Sequence, residues 1–169
     1  FRRDWSSDLR YSDLARELFK KTSVENVIMV NLPPARSCMH LDTVFTFVSP
    51  NECVVFPPLI NQRGLNNVIS FSPTDDDSIL NSHIYSNLHE ALESTLDRSI
   101  TFAPCGGTDP LSQQREQWTD GANLFALAPG VVLGYSRNLK TFEELRDRKS
   151  TRLNSSHVVI SYAVLCLKK

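Results

Sequence analysis

The chain is 169 residues long, 41% hydrophobic and 22% charged, which is enough apolar material for one ordinary globular domain with a buried core. A formal net charge of -1 with both signs mixed excludes the basic footprint expected of a nucleic-acid binder or of a protein held to an anionic membrane. No apolar run approaches the roughly 20 residues that span a bilayer, and the opening FRRDWSSDLR lacks the apolar core of a signal peptide, so a cytoplasmic protein is expected.

The N-terminal stretch 1–10 shows no periodicity and is read as loop, or as residues foreign to the domain. From Tyr11 to Lys21, Leu14, Leu18 and Phe19 fall at helical spacing, with Ser12 or Asp13 as a cap and two lysines in the last turn. Val24 to Leu32 has the β-branched character of a buried strand, closed by Pro33-Pro34. Thr43 to Val48 and Cys53 to Phe56 are β-rich runs flanking the turn-forming SPNE, which predicts an antiparallel hairpin.

Leu59 to Gly64 is irregular; Val68 to Phe71 predicts a short strand, and the acidic, serine-rich stretch 72–78 a loop. Tyr85 to Leu96 places Leu88, Ala91, Leu92 and Leu96 on one helical face, with Ser86 and Asn87 available to cap it. Ile100 to Ala103 reads as a strand, and Gly106-Gly107 in the loop after it permit positive φ. Ala122 to Ala128 and Val131 to Tyr135 read as strands around the Pro129-Gly130 turn, and Thr141 to Arg146 opens a helix with Thr141 and Glu144 spaced as a capping box. The order of hairpin, helix and strand implies an α/β assembly of repeated ββαβ units.

The segment 149–169, KSTRLNSSHVVISYAVLCLKK, breaks this order. It resembles peptide translated from sequencing-adapter DNA and is expected to be a non-native tail, so His157 and Cys166 receive no role. Its alternative is a C-terminal strand, and an unpaired apolar strand of that kind would promote aggregation.

Chemistry concentrates in Arg36 to Thr46, RSCMHLDTVFT, where His40 and Asp42 are two residues apart. On an extended backbone both would face one pocket, the histidine as a proton-transfer group and the carboxylate beside it favouring its cationic form. That is a general acid beside a charge, although a structural histidine in a turn is the alternative. A metal reading lacks a third and fourth ligand at a recognisable spacing. Cys38, Cys53, Cys105 and Cys166 form no CxxC pair, so neither a zinc ribbon nor a disulfide framework is suggested and reduced cysteines are expected. Cys38 and Cys105 read as packed residues rather than nucleophiles, and His83 and His89 as surface residues. Arg115 to Asn123, REQWTDGAN, reads either as a loop held by an Arg-carboxylate network under Trp118, which spacing alone favours, or as a segment packed beside a substrate pocket.

Taken in order, RSCMHLDTVFT, CGGTDP and REQWTDGANLFALAPGVVLGYSRN closely resemble the second half of arginine deiminases, guanidino-group hydrolases of the pentein superfamily. The likeness runs from the helix at Tyr11 to the helix at Thr141. It implies a partial α/β propeller built from ββαβ units, with 11–148 as part of the catalytic domain. It implies hydrolysis of the small-molecule substrate L-arginine to L-citrulline and ammonia with no cofactor and no metal, and it is compatible with a homo-oligomer of the full-length parent.

In that chemistry a Cys thiolate attacks the guanidinium carbon, a His protonates the departing ammonia and then activates water, and carboxylates hold the guanidinium. By position, His40 matches the general acid/base and Asp42 a guanidinium-binding carboxylate. The family's nucleophile lies in a glycine-rich, Cys-Met context that this chain does not carry; Cys166 in VLCLKK does not match it, and the remaining carboxylates belong to the family's first half. The chain by itself is therefore expected to be inactive and of low stability. Amidinotransferases, dimethylarginine hydrolases and a non-catalytic arginine- or partner-binding segment are the alternatives, and REQWTDGAN favours the deiminase.

Overall fold

A computed structural model describes residues 5–60, 68–75 and 80–148. In chain order the elements are α1 (Trp5–Lys21), β1 (Val27–Val30), β2 (Phe45–Ser49), β3 (Glu52–Val55), the single turn α2 (Pro57–Ile60), β4 (Val68–Pro73), β5 (Leu80–Tyr85), α3 (Leu88–Leu96), β6 (Thr101–Pro104), α4 (Pro110–Trp118), β7 (Phe125–Ala128), β8 (Val131–Leu133) and α5 (Leu139–Asp147). The fold is mixed α/β with small sheets. Its described residues fall into two compact units, one within 1–31 and 63–97 and the other within 32–62 and 98–148.

In the first unit the sheet order is β1-β4-β5, all antiparallel. Helix α1 begins at Trp5, so the stretch read as loop before Tyr11 already contributes helical turns. Among the described side chains of α1, Ala15 is fully buried, whereas Leu14 is 58% exposed. On α3, Leu88, Ala91 and Leu92 of the predicted stripe are buried, and Leu96 is partly exposed. The Asn87 side chain accepts from the Glu90 N–H at 2.9 Å, satisfying one of the donors that a helix start leaves open. Tyr85, placed by spacing at the start of this helix, instead ends β5. Strand β5 was not predicted because its centre, Asn81, Ser82, His83 and Ile84, is exposed and lacks the two-residue alternation of a half-buried strand.

In the second unit the sheet order is β2-β3-β6. The predicted hairpin forms, with Phe45 opposite Val55 and Phe47 opposite Cys53. β3 then pairs in parallel with β6, which returns from later in the chain. All four residues of β3 are buried, as expected for the central strand of a sheet. The core gathers Val48, Val54, Ala103, Cys105, Ala122, Leu124 and Leu145, with Val132 and Phe142 packed against it. The β7–β8 hairpin turns at Pro129-Gly130 as predicted, with Gly130 at φ 74°.

Gly106 and Gly107 adopt φ of 75° and 73°, the conformation that their lack of a Cβ allows. Gly106 also requires the space, since a Cβ there would lie 2.5 Å from the Cα of Gln113. The segment 149–169, with His157 and Cys166, lies outside the described residues, as do positions 61–67 and 76–79. Among the described residues no helix is long and apolar enough to cross a membrane.

Candidate functional site

His40 and Asp42 do not sit on a strand. Two 3-10 turns, Arg36–Cys38 and Leu41–Thr43, occupy the stretch before β2, and His40 is the extended residue that caps the second of them at φ -135° and ψ 152°. The two-residue periodicity of a strand therefore does not set the relative directions of the His40 and Asp42 side chains. Both residues are exposed, and among the described residues no ion pair joins them. What they share is one short turn whose backbone is closely tied. The Thr43 N–H and hydroxyl both reach the His40 carbonyl oxygen, at 3.3 and 2.7 Å. The Val44 N–H donates to Leu41, and the Val44 carbonyl accepts from Phe56 at the end of β3.

The REQWTDGAN stretch is not a loop throughout, because Arg115 to Trp118 form the last turn of α4. Asp109 caps this helix by accepting from the Ser112 N–H at 2.8 Å, and that bond holds its carboxyl below the usual carboxylate range. Pro110 follows in the first turn, where its missing N–H costs nothing. The buried face of α4 is polar. Gln113, Glu116 and Gln117, at i, i+3 and i+4, are 8%, 0% and 5% exposed.

Each of the three side chains fastens a different loop. Gln113 Nε2 donates to the Gly107 carbonyl at 2.7 Å, and Gln117 Nε2 donates to the Ser37 carbonyl at 2.6 Å. The Glu116 carboxylate accepts from the N–H groups of Lys140 and Thr141, each at 2.9 Å, and from the Thr141 hydroxyl at 2.8 Å. It is thus a cap for α5 supplied from another helix, where an anion is favoured by the open N–H groups and the helix dipole.

This arrangement replaces the predicted capping box. Thr141 is the third residue of α5 rather than its cap, and the capping position belongs to Asn138. The Asn138 side chain makes no cap hydrogen bond; it closes on Thr119 instead, donating to the backbone carbonyl at 2.9 Å and accepting from the hydroxyl at 2.5 Å. The Thr141 hydroxyl also accepts from the Gly106 N–H at 2.8 Å, so CGGTDP and REQW are joined through one residue.

Gly121 belongs to the same junction, because a Cβ there would approach the Cys105 sulfur and the Glu116 carbonyl oxygen to 2.8 Å each. Gly121→Ala is expected to destabilise the fold by about 1–3 kcal/mol, since the contacting groups are core and backbone. A thermal midpoint equal to that of the unmodified protein would contradict this tight approach.

The three described cysteines are free and buried. Burial pushes the Cys53 thiol up to about 12, with the Glu52 charge adding to the rise. Burial likewise raises Cys105 to about 11, against the pull of the Thr141 hydroxyl. A thiol raised above its usual value stabilises the fold at pH below that usual value of 9.0, and this contribution is lost as pH climbs through 11 to 12. At pH 8 both should resist iodoacetamide in the folded protein and react after addition of urea. Fast labelling of either one without denaturant would refute the burial argument.

A cavity of about 410 Å³ opens beside the turn that precedes His40, lined by Ser37, Phe56, Leu111, Gln114, Arg115, Gln117 and Trp118. Arg115, Gln117 and Trp118 of the REQWTDGAN stretch thus line this cavity. Arg115 and Trp118 are themselves exposed, and Arg115 lies 3.4 Å from the Glu116 carboxylate, so Trp118 does not roof a buried ion-pair network. Sequence reasoning missed the anchoring roles of Gln113 and Gln117, although Asp109-Pro110 was a usable signal for a helix start.

Comparison with known proteins supplies the family. The family model described as arginine deiminase matches residues 6–159. The arginine deiminase of Limosilactobacillus reuteri is 38% identical over 136 residues, covering 80% of this chain and 33% of that protein. That of Lactococcus lactis subsp. lactis is 37% identical over 145 residues, covering 84% of the chain and 35% of the relative. The arginine deiminase of Bacillus thuringiensis subsp. konkukian is 38% identical over 136 residues, at 79% and 33% coverage. The chain thus spans about a third of the length of the curated relatives it matches. With a family match over nearly its whole length, the chain belongs to the arginine deiminase family.

Proposed function

We propose that this chain is a segment of an arginine deiminase whose full-length form hydrolyses L-arginine to L-citrulline and ammonia in the cytoplasm, and that it contributes His40 and Asp42 to the active site. The observation that carries the reading is the family match over 6–159, which includes the exposed His40–Asp42 turn and the α4 segment that anchors it. In the parent, Asp42 holds the guanidinium by charge-assisted hydrogen bonds, orienting its carbon for attack. A cysteine thiolate forms the bond to that carbon. His40 gives a proton to the nitrogen that leaves as ammonia, then takes one from the water that displaces the sulfur and yields citrulline.

The thiolate comes from outside residues 5–60, 68–75 and 80–148. Cys53 and Cys105 are held protonated by burial, and Cys38 is 6% exposed. The parent fold in this reading is a pentein propeller; the mixed α/β order and the parallel return of β6 beside β3 support it.

The test is to express the open reading frame extended in the source DNA and to measure ammonia and citrulline from arginine. Methylated arginines and glycine as an acceptor serve as competing substrates. Citrulline from arginine is expected, with no turnover by the 169-residue chain alone. Preference for methylated arginine, or amidino transfer to glycine, would replace this reading with another enzyme of the same superfamily.

A further inference from the structure

The three buried polar residues of α4 do not have equivalent tasks. Gln113 secures the helix to the Gly107 loop and Glu116 secures it to α5, so α4 is already fixed at two places. Gln117 reaches in another direction, to a carbonyl 80 residues earlier in the chain. The Ser37 carbonyl that it holds belongs to the first 3-10 turn, three residues before His40. The Thr43 hydroxyl lies 3.2 Å from the same oxygen and donates at 2.7 Å to the His40 carbonyl. His40 and Asp42 therefore lie on a short bridge of backbone. Its near end is tied to α4 by Gln117, and its far end is closed by Thr43 and continues into β2.

We propose that Gln117 is a positioning residue that sets where the turn carries His40 and Asp42, a role resting on the reading of those two as reacting groups. An exposed side chain in a short 3-10 turn has no packing of its own to fix it. Its placement is inherited from the backbone beneath, and a hydrogen bond from a buried amide on an anchored helix transmits that rigidity. Removing the donor leaves α4 held by Gln113 and Glu116 while releasing the turn, and a displacement of about 1 Å in a reacting group is enough to cost on the order of 100-fold in rate.

The experiment uses the full-length parent with arginine as substrate. Gln117→Met keeps the side-chain volume and removes the donor. It should lower kcat about 10- to 100-fold with the thermal midpoint shifted by no more than about 3 °C. Gln113→Met removes a comparable bond from the same helix face and should leave kcat within about twofold, because its partner lies in the Gly107 loop. An unchanged kcat in Gln117→Met, or an equal loss in Gln113→Met, overturns the inference. If instead His40→Ala keeps full activity, it is the assignment of His40 that fails. Should Gln117→Met not fold, hydrogen exchange in the unsubstituted parent decides. Protection of the Cys38, Thr43 and Val44 amides matching that of α4 supports the tether, and exchange orders of magnitude faster than α4 removes it.

Discussion

His40→Ala in the full-length parent should lower citrulline formation by about 10²–10⁴-fold while the KM for arginine moves by a few-fold at most. The expulsion of ammonia from a tetrahedral guanidino carbon requires a proton at the leaving nitrogen, and the hydrolytic half requires that proton back from water. An imidazole can do both near neutral pH because its two forms are of similar free energy there. In this chain the imidazole is exposed, while its main-chain carbonyl is held by Thr43. Asp42→Asn separates binding from chemistry. A charge-assisted bond is worth about 1.5–3 kcal/mol, so KM should rise by roughly 10- to 100-fold as the guanidinium loses its counter-charge. Retention of unimpaired turnover by His40→Ala would remove the histidine from the reaction and return it to the alternative role of a turn residue.

Glu116→Ala should be the most destabilising single change in α4, at about 3–5 kcal/mol. The carboxylate is fully buried and satisfies two N–H groups at the start of α5 and the hydroxyl of Thr141. Alanine leaves all three donors without that acceptor in a place water does not reach. Glu116→Gln keeps the volume and one acceptor oxygen, so an intermediate loss of about 1–3 kcal/mol is expected. Thermal or urea unfolding of the parent reads both. An alanine variant within about 1 kcal/mol of the original would mean that α5 finds another cap, and the inter-helix anchor would be given up.

The REQW motif thereby acquires a physical meaning beyond the two sequence readings. It is the last turn of α4 rather than a loop. Its glutamate organises a neighbouring helix, its glutamine holds the turn before His40, and its arginine and tryptophan line a cavity.

Local patterns carried much of the fold into the sequence. Asn87 before a stripe of Leu88, Ala91 and Leu92, the SPNE turn between β-rich runs, and the paired glycines after β6 each encode their structure within a few residues. The family likeness was equally local, since three short blocks in order identify it. Among the elements that escaped, two did so for opposite reasons: β5 has a polar exposed centre, and α4 buries glutamines and a glutamate where hydrophobic periodicity looks for leucine. A buried polar face is stabilised only by partners that fold beside it, so no window of sequence could show that Glu116 meets Thr141 or that Gln117 meets Ser37. The same limit applies to His40 and Asp42. Their identities and spacing were readable from the chain, and His40 is extended, but the extended backbone stops there and Asp42 lies in the 3-10 turn that His40 caps. The Gln117 bond to Ser37 and the Thr43 bond to the His40 carbonyl hold this segment, and the conformation of so short a segment is settled by what holds its ends.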